Sequence, residues 1–268
     1  MEVKKVLYIN QAITPYLPES TIANLANALP QGIQGKGMEV RTFMPKYAYI
    51  NERRNQLHEV IRLSGMNLII DDTDHPLIIK VATLQEARMQ VYFIYNDDYF
   101  QRGVIKELET ETSPDDNDER SIFFVRGSLE TVKKLRWIPD VVHCQGWISS
   151  LAALYLKNVY HDDPMFTNCK VVVSLFDENF ENPLNPELPR KLRCDNIKDE
   201  AMASILNGDI DYVSLMKMAI DNADAVVEAS EGVNPELIEY AKASGKPFLP
   251  FPGSENFVDS YSDFYKSL

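Results

Sequence analysis

The fold is decided by the opening stretch of the chain, residues 6–44, which reads VLYINQAITPYLPESTIANLANALPQGIQGKGMEVRTFM. Its first apolar run, residues 6–9, is rich in strand-forming side chains and predicts a β-strand. Ser20 and Thr21 then offer an N-cap for a helix whose apolar residues recur at i, i+3 and i+7. Residues 40–44 predict a second strand. A strand, a helix and a strand in this order favour a parallel sheet with a right-handed crossover.

Strands and helices alternate through most of the remaining sequence, which predicts a single doubly wound α/β domain with a Rossmann-like parallel sheet over residues 1–250. Residues 57–90 break this alternation, because short apolar runs there are separated by turn-forming residues. We expect them to form a small antiparallel β insertion that returns to the main sheet at Val91. Residues 251–268 are polar and aromatic and predict a C-terminal tail or a docking helix. Further strands are predicted at residues 141–144, 170–175 and 225–229, and further helices at residues 118–135, 149–159, 210–222 and 235–243.

Two polar segments predict long loops. Residues 107–118 are acidic, and we expect an exposed loop that leads into a helix with a negatively charged first turn. Residues 178–189 are rich in Pro and Asn and follow a predicted strand. Doubly wound folds bind ligands at the carboxyl ends of their strands, so this second loop marks the expected binding edge.

The balance of charges limits the classes of partner. The 268 residues include 27 basic and 40 acidic side chains, which gives a formal net charge of −13. This charge disfavours nucleic acid, because no basic segment offsets the repulsion of phosphate. Apolar runs fall well short of the roughly 20 residues that span a bilayer, so no membrane partner is expected. The charged N-terminus continues into the first strand without a signal-peptide core, which predicts a cytoplasmic protein.

The cysteines and histidines predict neither disulfides nor a metal site. Cys144, Cys169 and Cys194 are widely spaced and include no Cys-x-x-Cys pair, and disulfides are rare in a reducing compartment. The four histidines also lack the spacing of metal ligands. We therefore expect no cofactor and no bound metal.

Six sequence blocks, in the same order along the chain, resemble bacterial glycogen synthases and plant starch synthases. They are Pro15-Tyr16-Leu17 with Ala28-Leu29-Pro30, residues 40–47, Asn117-Asp118-Glu119-Arg120, residues 137–143, residues 215–224 and residues 230–233. The resemblance extends over residues 3–245. It implies the GT-B fold, in which two Rossmann-like domains face each other across a cleft. The chain is long enough only for the N-terminal domain, so we expect the GT-B C-terminal domain to be absent.

The same resemblance implies an activity, the transfer of glucose from ADP-glucose to an α-1,4-glucan with retention of configuration. It makes ADP-glucose a candidate substrate and an α-glucan a candidate partner. In the family, the second domain supplies most of the contacts to the nucleotide sugar. Its absence argues against catalysis by this chain alone.

The donor loop of the family is altered in this sequence. Family members carry Lys-x-Gly-Gly-Leu after the first strand, where glycine N–H groups approach the phosphates at a helix N-terminus. The matching positions here are Pro18, Glu19, Ser20 and Thr21, followed by Ile22. Proline replaces the lysine, both glycines have acquired side chains, and Glu19 adds a negative charge beside the expected diphosphate. An ordinary helix N-cap is the preferred interpretation, and an anion site on the Ser20 and Thr21 amides is the alternative.

Two further active-site blocks are altered. The family motif His-x-His-Asp-Trp is matched by His143, Gln145, Gly146 and Trp147, so the second histidine has become Gln145 and the acid has become Gly146. His143 and Gln145 are the catalytic candidates, although an amide cannot exchange protons near neutral pH. Trp147 is a candidate sugar contact, with core packing as its alternative. The family's Val-His-Asn-like turn reads Ser-Leu-Phe-Asp-Glu-Asn over residues 174–179.

The sequence leaves three functions open, and with them the question of whether the chain is an enzyme. The first is a protein of glucan metabolism whose inherited glucosyl transfer is reduced or lost. The second is a non-catalytic module that binds a glucan or a protein. The third is a half-enzyme, completed by a second chain or by a homodimer across the exposed cleft face.

Overall fold

The computed structural model describes residues 3–85, 87–101 and 116–268. Most of the predicted exposed loop 107–118 lies outside these residues. The strands are β1 Lys5–Asn10, β2 Glu39–Pro45, β3 His58–Glu59, β4 Met66–Ile70, β5 Thr73–Leu84, β6 Met89–Tyr95, β7 Val141–Gln145, β8 Lys170–Leu175, β9 Ala225–Glu228 and β10 Phe248–Leu249. The helices are α1 Thr21–Gly35, α2 Asp97–Phe100, α3 Asn117–Leu135, α4 Leu151–Asn158, α5 Leu188–Cys194, α6 Tyr212–Asn222, α7 Pro235–Ala243 and α8 Phe257–Ser267, with 3-10 helices at Trp147–Ser149 and Asp199–Ile205.

The strands follow the order β10-β9-β8-β7-β1-β2-β6-β5-β3, and β4 pairs with β5. All neighbours from β10 to β6 are parallel, whereas β3, β4 and β6 pair with β5 in antiparallel fashion. The doubly wound α/β prediction and the antiparallel insertion are therefore confirmed. Strand β2 pairs with one edge of β1, and β7 pairs with the opposite edge. The strand order therefore reverses between β1 and β7, and this places a topological switch point at their carboxyl ends.

The central strands are buried on both faces, as expected for a parallel sheet covered by helices. Along β1, Leu7 and Ile9 belong to the core that contains residues of α3, α4 and α6. Val6 and Tyr8 point to the opposite face, because side chains alternate along a strand, and there they pack with residues of α1 and α8.

Helix α8 packs closely against this second face. Tyr261 and Tyr265 are buried, and Gly32 of α1 lies so near Val258 that an added Cβ would be 2.4 Å from Cγ2. Of the two alternatives for the end of the chain, the structure shows the docked helix. No helix within residues 3–85, 87–101 and 116–268 has both the length and the apolar character needed to cross a bilayer.

Candidate functional site

A pocket of about 420 Å³ opens where the carboxyl ends of β8 and β9 meet the start of α1. We call it the cleft pocket. It is lined by Ser20, Thr21, Ile22, Phe176, Asp177, Ser230, Glu231 and Phe251. Its volume is within the range of small-molecule sites, and its place at the carboxyl edge is where doubly wound folds bind ligands.

Two of the four altered donor-loop residues line this pocket. Pro18, Glu19, Ser20 and Thr21 are all exposed, and Ser20 and Thr21 line the pocket. Ser20 is the N-cap of α1, because its Oγ accepts a hydrogen bond from the Ala23 N–H at 3.1 Å. One donor at the helix N-terminus is thereby already satisfied within the chain. Binding of a ligand by these four residues remains a prediction.

The charge of the cleft pocket is negative. Asp177 and Glu231 are both exposed to it, and its lining, as far as the chain is described, contains neither lysine nor arginine. The Asp177 N–H donates to Ser230 Oγ at 2.8 Å, which ties the ends of β8 and β9 together. Two carboxylates without a cation repel a diphosphate, whereas the hydroxyl groups of an uncharged sugar can donate to them.

His143 is enclosed beneath α8. Its Nδ1 is 2.7 Å from Tyr265 Oη, and its Nε2 is 2.7 Å from Ser174 Oγ, so both ring nitrogens are hydrogen-bonded. Burial lowers the pKa of the imidazole to about 3, which keeps the ring neutral. Contact of His143 with a sugar would therefore require α8 to move away.

Gln145 and Trp147 are also buried. The Gln145 side chain is fully enclosed, and its amide atoms have no hydrogen-bond partner among the described residues. Trp147 is only 4% exposed and packs edge-to-face on Phe180 with ring centroids 5.4 Å apart. The observed contacts of Trp147 are those of a core residue, and its role as a sugar contact remains a prediction.

A carboxyl group that sequence reasoning did not single out lies at the same edge of the sheet. Glu178 Oε1 accepts a hydrogen bond from Gln11 Nε2 at 2.8 Å, across 167 residues of sequence. Its Oε2 is buried with no hydrogen-bond partner among the described residues. Burial raises the pKa of Glu178 to about 7, although hydrogen bonds from Gln11 and the Trp147 N–H favour the ionised form. Glu178 therefore titrates near neutral pH.

Gly146 stands at the position of the acid in the family motif, and the local geometry favours glycine there. Its φ is 87°, a left-handed conformation that favours glycine. An added Cβ would also be 2.5 Å from Gln11 Cβ. A side chain at position 146 would thus displace Gln11 from its hydrogen bond with Glu178.

We expect Glu178 to make stability depend on pH. The folded chain binds the Glu178 proton more tightly than the unfolded chain, so this residue lowers the free energy of unfolding as pH rises from about 4.5 to about 7. Glu178→Gln should remove that contribution, and the stability difference between variant and wild type should change by about 3 kcal/mol across this range. Urea denaturation of both proteins at several pH values measures it.

The comparison with the variant is needed because His143 has the opposite effect. Burial lowers the pKa of His143 to about 3. The stability that the neutral His143 ring gives the folded chain is therefore fully present above about pH 6.5 and is lost as pH falls towards 3. Subtracting the two curves removes this contribution. Parallel stability curves for wild type and Glu178→Gln would contradict the assignment of Glu178.

None of the three cysteines lines the cleft pocket. The three cysteines are unpaired thiols, and burial raises the pKa of Cys144 and Cys169. Within the described ranges, no group of three or more His, Cys, Asp or Glu side chains is placed to hold a metal ion. The chemistry available at the carboxyl edge is that of carboxylate, amide and hydroxyl groups.

Comparison with known proteins agrees with this architecture. A family model described as the starch synthase catalytic domain matches residues 5–246. The glycogen synthase of Chlorobium luteolum (strain DSM 273 / BCRC 81028 / 2530) is 33% identical over 228 residues, which cover 85% of this chain and 46% of that protein. The glycogen synthase of Chlorobium chlorochromatii (strain CaD3) is 32% identical over 266 residues, covering 96% of this chain and 53% of that protein.

A solved structure shares the fold. The catalytic domain of starch synthase IV from Arabidopsis thaliana, bound to ADP and acarbose, superimposes with a TM-score of 0.70 at 17% identity, covering 93% of this chain and 51% of that chain. This likeness confirms the predicted fold, which resembles one half of a GT-B catalytic domain. The chain spans about half the length of the curated relatives it matches. On the extent of the family match and the identity to these relatives, the chain belongs to the starch synthase catalytic domain family.

Proposed function

We propose that this chain is an α-glucan-binding protein of glucan metabolism that, on its own, does not transfer glucose from ADP-glucose. The observation that carries this proposal is the cleft pocket, which presents carboxylates and hydroxyls at the binding edge of a starch synthase fold. Asp177 and Glu231 suit the hydroxyl groups of a neutral sugar and oppose a nucleoside diphosphate. The glucan is inferred from the relatives, which are named glycogen synthases.

The proposed loss of donor binding rests on three features. Ser20 and Thr21 place side chains where the family has glycines, and Ser20 uses its hydroxyl to cap α1. The lysine that would compensate phosphate charge is Pro18. Two carboxylates and no cation in the described lining then leave the diphosphate without compensation.

We further propose a cytoplasmic location. The structure supports it through Cys144 and Cys169, which are buried as free thiols, and through Cys194, which is exposed and also unpaired. Free thiols are the usual state of cysteine in a reducing compartment.

We expect the purified chain to be retarded by glycogen in a native affinity gel and to release no ADP from ADP-glucose above the blank. Calorimetric titration with millimolar ADP-glucose should give no saturable heat, whereas titration with maltoheptaose should. Sustained ADP release that requires glycogen would contradict the loss of transfer. Unaltered mobility in glycogen, together with no heat from maltoheptaose, would contradict glucan binding.

A variant that restores the family loop serves as the control. Pro18→Lys combined with Ser20→Gly and Thr21→Gly returns a cation and backbone access to the N-terminus of α1. If this variant gives heat of ADP-glucose binding and the wild type gives none, the loss of ADP-glucose binding is assigned to these three positions. The variant also removes the Ser20 cap, at a cost of a few tenths of a kcal/mol for glycine at an N-cap, so its fold should be retained.

The second candidate function is a half-enzyme completed by a second chain or a homodimer. It is favoured by the coverage of the relatives, of which this chain matches 46% and 53%. In this case light scattering should give a mass above 30.6 kDa, or ADP release should appear when a second chain is added. A strict monomer that remains inactive with candidate partners would exclude it.

A further inference from the structure

A second pocket lies on the other flank of α1 and differs in chemistry from the cleft pocket. It has a volume of about 390 Å³ and is formed by α1, the segment after β1, the end of β5 and residues 54–56. Five of its eleven lining residues carry side-chain amides, namely Asn27, Gln31, Asn55, Gln56 and Gln85. We call it the amide pocket. It shares no lining residue with the cleft pocket.

Amides fit one class of ligand particularly well. Each amide both donates and accepts hydrogen bonds, as does each hydroxyl of a sugar. Thr14 and Thr83 add hydroxyls that can also act in both directions, and Arg54 is the one charged residue in the described lining. A neutral, hydroxyl-rich ligand can therefore exchange many hydrogen bonds here without a large cost of removing charge from water.

The amides of α1 are pre-ordered for such a ligand. Asn27 and Gln31 lie one helical turn apart, and Gln31 Nε2 donates to Asn27 Oδ1. This bond leaves Asn27 Nδ2, a donor, and Gln31 Oε1, an acceptor, for a ligand. Thr83 stands opposite them on β5, where strand pairing with Gln90 fixes its backbone. Polar groups on a helix and a strand are held more rigidly than groups on loops.

We propose that the amide pocket is a binding site for the α-glucan chain itself, separate from the carboxyl edge of the sheet. This inference rests on the proposed function, since the glucan is the neutral, hydroxyl-rich ligand named there. The cleft pocket offers mostly acceptors through its carboxylates, whereas the amide pocket offers donors and acceptors together. A glucan presents both along its length, so it can bind the amide pocket in addition to the cleft pocket.

The test uses maltoheptaose as the probe and the full chain as it exists. Gln31→Ala combined with Thr83→Val removes one amide and one hydroxyl while keeping a helix-forming and a strand-forming residue. We expect this double variant to bind maltoheptaose about tenfold more weakly, corresponding to about two lost hydrogen bonds. Gln34→Ala is the matched control, because Gln34 is exposed on the same helix and does not line the pocket; its affinity should equal that of wild type.

A second measurement does not depend on any variant. Hydrogen exchange of the wild type with and without maltoheptaose should show new protection at residues 54–56 and in the second half of α1. If the double variant binds maltoheptaose with wild-type affinity, or if the new protection from hydrogen exchange is confined to the cleft pocket, the assignment of the amide pocket is overturned. Either result leaves the proposed binding of glucan by the chain intact. No binding of maltoheptaose by the wild type would overturn both this inference and the proposed function.

Discussion

Lys191→Met is expected to lower the free energy of unfolding by about 3–5 kcal/mol. Lys191 Nζ lies 2.7 Å from Asp118 Oδ2 and 2.6 Å from Glu119 Oε1, and the Lys191 and Asp118 side chains are 5% and 0% exposed. Burial alone would lower the pKa of Lys191, but the hydrogen bonds to both carboxylates raise it overall. Without this cation, the fully buried Asp118 carboxylate at the start of α3 loses the ion pair that Lys191 makes with it in the described part of the chain. Urea denaturation at neutral pH measures the loss.

Two further variants separate this cause from simple loss of packing. Arg193→Met removes an ion pair on the same helix, between Arg193 and Asp199, but both of those side chains are about half exposed. Exposed pairs contribute between about 0 and 1 kcal/mol, so this control should be nearly neutral. Adding Asp118→Asn to Lys191→Met should restore part of the stability, because the buried charge is then gone. Lys191→Met within about 1 kcal/mol of wild type would contradict the role of the buried pair.

The order of strands and helices could be predicted because local patterns carry it. The apolar run at residues 6–9 became β1, and Ser20 became the N-cap of α1, since both depend on neighbouring residues alone. The insertion over residues 57–90 was recognisable from its turns, and it pairs through β5 with β6 as an antiparallel edge. The doubly wound pattern predicted the carboxyl edge as the binding edge, and the resemblance to the starch synthase family added the motif positions Pro18–Thr21, His143, Gln145 and Trp147.

The contacts of individual site residues could not be predicted, because they join distant parts of the chain. Gln11 and Glu178 are 167 residues apart, and His143 and Tyr265 are 122 residues apart. No periodicity or motif reports such a pair. The sequence matched His143 to a family position at the sugar site, but only the packing of α8 shows that the ring is enclosed.

Tyr265→Ala is expected to destabilise the chain by about 4–5 kcal/mol. Tyr265 is fully buried, so its removal leaves a cavity between α8 and the sheet. The same change removes the hydroxyl that lies 2.7 Å from His143 Nδ1 and 3.2 Å from Tyr8 Oη. Tyr265→Phe keeps the ring and removes only this hydroxyl, and it should cost about 1–3 kcal/mol. Lys266→Ala, at an exposed position of the same helix, should be nearly neutral.

Histidine titration followed by NMR distinguishes release of α8 from a general loss of stability. In the wild type, the His143 ring should stay neutral from pH 8 down to 5, because burial lowers its pKa to about 3. If Tyr265 holds α8 over this ring, Tyr265→Ala should raise the His143 pKa towards the ordinary value of about 6.5. The core on the opposite face of the sheet, which contains Leu7 and Ile9, should remain folded. If His143 does not titrate between pH 8 and 5 in a folded Tyr265→Ala protein, α8 remains packed over the ring without that side chain. A titrating His143 would show that α8 controls access to the one family-motif histidine that this sequence retains.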